Sequence, residues 1–161
     1  MIRTAARLAA MDTTIEVAYA RLPLTLSHGD PNGGNIAIDG ARIVLFDWDR
    51  AHLSAPGTDL AKLLWGRGPG LPRPWRAHPG LEDAALTAYH AQLREHGVGH
   101  DDVLLGYLMV LERYWLRGRV ASLARASAED LAARPPARVA RVHADVARLC
   151  DHADHLAALV G

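Results

Sequence analysis

The sequence predicts an α+β fold that is mostly helical, with its few strands confined to residues 25–50. Two short runs of apolar and β-branched residues, Ile36 to Ile38 and Ile43 to Phe46, flank Asp39-Gly40, a strong signal for a two-residue hairpin turn. Elsewhere apolar residues recur at intervals of three and four, the period of a helix with one buried face. Glycine and proline punctuate the gaps between these stretches. At 161 residues the chain is large enough for one good core, and a single domain over 1–161 is expected.

The elements follow in order. Leu8, Met11, Ile15, Ala18 and Leu22 lie on one face of an amphipathic helix, which Asp12-Thr13-Thr14 can divide in two. The apolar run Leu22 to Leu26 leads into His28-Gly29-Asp30-Pro31-Asn32-Gly33-Gly34-Asn35, and the hairpin follows at once. Past residue 57 the pattern is helical to residue 160. Thr58 or Asp59 can cap a helix through Leu60, Leu63 and Leu64 to Trp65, where Gly66 stops it. The stretch from Gly66 to Arg76 is too rich in Gly and Pro for regular structure. A helix after Pro79-Gly80 carries Leu86, Tyr89 and Leu93 on one face and ends at Gly97. The next starts near Asp101 or Asp102 and runs through Leu104, Leu105, Leu108 and Trp115; being apolar nearly all round, it is expected to be the central buried helix. Ser127-Ala128-Glu129-Asp130 signals a short helix that stops before Pro135-Pro136.

In the last helix, Ala137 to Leu159, the residues Val139, Val142, Val146, Leu149, Ala153, Leu156 and Val160 form a narrow seam. The seam packs along the chain's own helices or pairs with a second copy, so monomer and homodimer both stay open.

Composition narrows the function classes. Lys and Arg together equal Asp and Glu at 18 each, so no bulk field draws the chain to nucleic acid or to a membrane surface. Lys62 is the only lysine, and the single cysteine, Cys150, excludes an internal disulfide. The longest apolar run, Val103 to Leu111, is far shorter than a spanning helix, and no signal-peptide pattern opens the chain. A soluble, cytoplasmic protein is expected. Cys150-Asp151-His152 with Asp154 and His155 reads as a solvated helix face, not a metal cluster.

The residues that carry chemistry are Asp30, Asn35 and Asp47. Asp30 and Asn35 stand five apart on a loop pinned at both ends by apolar runs, and the hairpin folds Phe46-Asp47-Trp48-Asp49 back towards them. Continued strand alternation puts Asp47 and Asp49 on one face and Trp48 on the other. An acid, a carboxamide and a second acid suit phosphoryl transfer, which asks a protein to position a hydroxyl, hold magnesium and neutralise charge. Asp30 then orients the acceptor hydroxyl and takes its proton, while Asn35 and Asp47 supply hard oxygen ligands. The protein-kinase catalytic loop has the same spacing: an acid, an Asn five residues on, and a downstream magnesium-binding Asp.

At His28-Gly29-Asp30 with Asn35, at Phe46-Asp47-Trp48-Asp49 and at Gly57-Thr58-Asp59-Leu60-Ala61 the chain resembles the aminoglycoside phosphotransferase and choline kinase family. The resemblance implies the C-terminal lobe of a protein-kinase-like fold, with a small hairpin carrying the catalytic loop. It implies ATP and Mg2+ as cofactors, Asp30 as catalytic base, and Asn35 and Asp47 as metal ligands. His28 enters the catalytic group as a loop brace, and Asp59 ties the following helix to the loop. Asp49 holds a second magnesium or its water, or caps a turn. The family commonly has Leu-His-Pro-Gly where Pro31-Asn32-Gly33-Gly34 stands here; these positions are expected to shape the turn and carry no ligand.

Members of that family also have an N-terminal lobe of strands that holds ATP. Only Met1 to Thr25 precedes the loop here, without glycine or lysine, so the chain reads as the C-terminal lobe alone, completed by an N-lobe or partner chain. The expected activity is transfer of the ATP γ-phosphate to a hydroxyl of a small molecule such as an aminoglycoside, choline or a sugar, with low turnover by this chain alone. The alternatives are a non-catalytic lobe that binds a ligand or partner, and a plain helical interaction module. Acceptor recognition falls to Glu112 and Trp115 on the central helix. Glu82, Asp83, Asp101, Asp102 and the aromatic residues Trp65, Trp75, Tyr107 and Tyr114 also fit roles in helix capping and in the core.

Overall fold

The computed structural model describes residues 2–66, 78, 80–118, 133 and 135–161. They form a mostly helical chain with two small antiparallel sheets, in keeping with the α+β class. The Gly/Pro-rich stretch with Arg67, Arg73, Trp75 and Arg76, and the helix expected after Ser127, lie outside the described residues. Contacts cluster in two units, Arg21–Tyr107 and Met1–Ala20 with Leu108–Gly161.

In the unit Arg21–Tyr107, β1 (Thr25–Ser27) pairs antiparallel with β4 (His52–Ser54), Leu26 opposite Leu53. Between them, β2 (Ile36–Asp39) and β3 (Arg42–Leu45) form the hairpin, with Ile36 opposite Leu45 and Asp39 opposite Arg42. The turn residues are therefore Gly40 and Ala41, one position later than Asp39-Gly40 suggests. Gly40 takes φ +60°, the left-handed geometry a tight hairpin turn needs.

The helices of this unit are α3 (Thr58–Trp65), α4 (Leu81–Leu93), extended by one 3-10 turn Arg94–His96, and the start of α5 (His100–Val110). Neither Thr58 nor Asp59 caps α3 with its side chain: the N-cap is Gly57, and the Thr58 hydroxyl donates to Ala55 O at 2.8 Å. The reason is close backbone approach. A Cβ on Gly106 of α5 would stand 1.9 Å from Pro56 O, and one on Gly57 would stand 2.3 Å from Val103 O. The turn that launches α3 thus rests directly on α5 at two glycines, and the heading of α3 is fixed there. Leu60, Ala61, Leu64 and Trp65 of α3, Leu86 of α4 and Val103, Leu104 and Tyr107 of α5 are all buried, α3 packs on α4, and Trp65 Nε1 donates to the Tyr107 hydroxyl at 3.0 Å. Each large apolar side chain so buried contributes about 1.5–3 kcal/mol. Glu82, in the first turn of α4, is buried among them: its Oε1 accepts from Trp65 Nε1 at 3.2 Å and from the Tyr107 hydroxyl. Its carboxylate therefore joins three helices from within the core.

In the other unit, α1 (Ile2–Ala10) and α2 (Asp12–Ala20) meet at Met11, whose N–H still bonds to Arg7 O and Leu8 O. The helix expected with a break near Asp12 is thus two helices, and Asp12 lies in the first turn of the second, where an acid stabilises the helix dipole. The continuation of α5, Leu111–Leu116, is π-helical. Against it, and against α1 and α2, packs α6 (Pro136–Val160). Of its seam, Leu149, Ala153 and Leu156 are buried, and Val139, Val142, Val146 and Val160 are half-buried. Asp145 is an unforeseen buried member, 3 % exposed. Among the described residues no helix is long and apolar enough to cross a membrane.

Candidate active site

The His28 to Asn35 loop leaves β1 and enters β2, so both ends are held by strand pairing. Its interior is a knot of short-range bonds centred on Asp30. The Asp30 carbonyl accepts the Asn32 N–H at 2.8 Å and Asn35 Nδ2 at 3.1 Å. Asn32 Nδ2 donates to the Asp30 carboxylate at 3.1 Å, while Asn32 Oδ1 accepts the Gly34 N–H at 2.8 Å. Asn32 therefore orients the acid itself, which sequence reasoning missed when it gave this position to turn shape alone. The signal was present, for an Asn two residues from an acid in a Gly-rich loop is a strong candidate for a side-chain turn.

The second support comes from behind the loop. His28 is 2 % exposed, with Nε2 2.9 Å from Phe46 O and Nδ1 accepting the Asp30 N–H at 3.3 Å. An accepting Nδ1 assigns the hydrogen to Nε2, which donates to Phe46 O. Both ring nitrogens are thus committed to backbone, and the ring lies against Trp48 with centroids 4.7 Å apart. Asp59, on α3, accepts the N–H of His28 at 2.6 Å and of Gly29 at 3.1 Å. Gly29 has φ +84°, and a Cβ there would stand 2.2 Å from Arg50 O, so only glycine lets the loop lie this close to the returning chain.

The hairpin register brings the third member back. The Phe46 N–H donates to Asn35 O at 3.1 Å, one step beyond the Ile36 and Leu45 pair, so Asp47 follows a residue bonded to Asn35. The strand ends at Leu45, however, and strand alternation does not carry on through Asp47 to Asp49. Asp47 instead takes φ +65°, a left-handed conformation costing about 1–3 kcal/mol in a residue other than glycine. The neighbouring Asp49, first through a hydrogen bond between the two carboxyls and then through its like charge, raises the Asp47 pKa from the ordinary Asp value, while the Arg50 charge pulls the other way.

Among the described residues no group of three or more His, Cys, Asp or Glu is arranged to hold a metal, so any cation here needs the Asn35 carboxamide as well. That oxygen is available. Asn35 Nδ2 is spent on Asp30 O, and among the described residues nothing donates to Oδ1. Two exposed carboxyls, Asp47 and Asp49, and a carboxamide oxygen without a donor are the hard-oxygen chemistry a magnesium ion takes.

Behind the loop a cavity of about 510 Å³ is lined chiefly by Leu26, Ile36, Ile38, Ile43, Leu45, Leu60, Leu63, Trp48 and Tyr89, with His28 and Asp59 at its polar end. Burial raises the pKa of Tyr89, partly offset by its hydrogen bonds to Gly57 and Thr25. Glu112 and Trp115 belong to the other unit. There Glu112 is 4 % exposed and accepts from Arg117 Nε, and Arg117 also pairs with Asp12 while Arg113 pairs with Glu16. Trp115 is half-buried.

Comparison with known proteins gives one family and no individual relative. The family model for the phosphotransferase enzyme family matches residues 3–96, which include the loop, the hairpin, α3 and α4. No curated protein and no solved structure matches. With more than half of its length matched by that model, the chain belongs to the phosphotransferase enzyme family.

Proposed function

We propose that the protein transfers the γ-phosphate of ATP to a hydroxyl of a small molecule, in the manner of the C-terminal lobe of a protein-kinase-like fold. The observation that carries this reading is the bonding around Asp30 and Asn35: Asn32 aims the acid, and Asn35 spends its nitrogen on the same residue and keeps its oxygen free. Asp30 accepts the hydrogen bond of the acceptor hydroxyl and takes its proton as the oxygen attacks, a contribution of about 10²–10⁴ in rate. Asn35 and Asp47 hold the metal, with Asp49 beside them, and His28 keeps the loop and the Phe46 segment in register from behind. Magnesium, when bound, neutralises the charge of the transferring phosphoryl group.

The exposed apolar face of the hairpin supports a one-lobe reading. Ile38 is 78 % and Ile43 72 % exposed, and the two stand opposite each other in the hairpin. A face of this kind is covered in the working protein by an N-lobe, a partner chain or the nucleotide base.

The test is phosphorus NMR of ATP with magnesium and the protein, run separately with an aminoglycoside, choline and a sugar. A phosphomonoester signal that needs both magnesium and one acceptor class supports the proposal and names the class. Loss of the γ-phosphate to water alone, equal with every acceptor, contradicts it.

A further inference from the structure

Lys62, the only lysine of the chain, has no part in the reading so far. It stands three residues after Asp59 on α3, on the same helix face. Its Nζ donates to Gly29 O at 2.9 Å, while Asp59 accepts the Gly29 N–H at 3.1 Å. One helix therefore grips Gly29 from both sides, with an anion on its donor and a cation on its acceptor. A lysine gives up much rotamer freedom and hydration to hold such a position, and surface lysines do not do so without a return.

The carbonyl that Lys62 holds belongs to the peptide whose N–H is that of Asp30. That N–H donates to His28 Nδ1, and His28 Nε2 donates to Phe46 O, in the residue just before Asp47. The bonds form one series: ammonium to Gly29 carbonyl, Asp30 amide to imidazole, imidazole to Phe46 carbonyl. Each bond in such a series polarises the next, and a full positive charge at its head strengthens all of them.

We propose that Lys62 is a positioning residue: it polarises the peptide that carries Asp30 and, through His28, holds the Asp30 and Asp47 segments in one register. The proposal rests on the phosphotransferase reading for its catalytic meaning and on geometry for its mechanics. Neutral residues of similar length keep the packing of α3 and lose the charge, whereas arginine keeps the charge.

The experiment compares Lys62→Met and Lys62→Arg with the wild-type chain. Amide hydrogen exchange and nitrogen NMR need no turnover. In Lys62→Met, protection of the Asp30 amide falls by about tenfold, the worth of one charge-assisted bond, and the His28 Nε2–H tautomer loses its dominance. Amides of α5 exchange as before, and Lys62→Arg restores the wild-type pattern. In a transfer assay Lys62→Met lowers kcat by about tenfold with the acceptor KM within about twofold, the split expected when a base is misplaced and not when a binding site is lost. Unchanged Asp30 exchange in Lys62→Met overturns the proposal, as does equal loss of protection throughout α5, which marks a merely structural role. If Asp30→Ala transfers phosphate as fast as wild type, the phosphotransferase reading of the loop fails, and the exchange result still decides whether Lys62 holds it.

Discussion

The two oxygens of the Asp59 carboxylate accept the backbone N–H groups of His28 and Gly29, at 2.6 and 3.1 Å. A single side chain on α3 thus satisfies the two peptides that lead into Asp30. Replacing it by alanine leaves both donors without a partner in a part-buried setting. Asp59→Ala is expected to destabilise the chain by about 2–3 kcal/mol, read from urea unfolding followed by tryptophan fluorescence. A change below about 0.5 kcal/mol contradicts the bond pattern.

Gly29 gives a backbone test of the same region. Its φ of +84° and the 2.2 Å approach of a built Cβ to Arg50 O leave no room for a methyl group. Gly29→Ala costs at least about 2 kcal/mol from the two strains together and displaces the loop. Gly33→Ala, where a Cβ meets nothing within 4 Å, is the control and changes stability little.

The raised pKa of Asp47 has a consequence for metal binding. With the hydrogen bond to Asp49 as its chief cause, the proton shared by the pair must leave before a divalent cation can enter. Magnesium affinity therefore falls as pH is lowered, and the fall begins at a higher pH than for an ordinary aspartate. Asp49→Asn removes the charge repulsion and moves the fall to lower pH. The sign for stability is the opposite: a raised carboxyl favours the folded state below its unfolded value, and that contribution is lost as pH rises through the folded value. Calorimetric magnesium titrations across the acid range check both variants; an affinity independent of pH contradicts the account.

The paired arginines of the other unit separate buried from exposed electrostatics. Arg117 neutralises Glu112, whose side chain is 4 % exposed, whereas Arg113 and Glu16 are 42 % and 47 % exposed. Arg117→Met strands a buried carboxylate and is expected to cost about 2–3 kcal/mol. Arg113→Met costs less than about 1 kcal/mol. Equal costs in urea unfolding would show that Glu112 is not held as described.

Much of this site was legible because its parts are local in sequence. Asp30 and Asn35 sit in one loop, and a short hairpin with clear β-rich runs returns Asp47 to them. What was not legible depends on longer or finer geometry. The Lys62 contact to Gly29 spans 33 positions and depends on the rotation of α3, which is set by backbone contact at Gly57 and Gly106. The burial of Glu82 depends on where Trp65 and Tyr107 meet, and a helix-start acid by itself reads as a cap. At Asp47 the alternation was extended past the last strand residue, and a left-handed residue took over where the pleat ended.

The most direct measurement is single-turnover transfer of the ATP γ-phosphate, with protein in excess over nucleotide, for wild type, Asp30→Ala and Asp47→Asn. The account predicts that Asp30→Ala slows transfer by about 10²–10⁴ with magnesium binding intact, and that Asp47→Asn weakens magnesium binding along with transfer. Transfer by Asp30→Ala at the wild-type rate would contradict it.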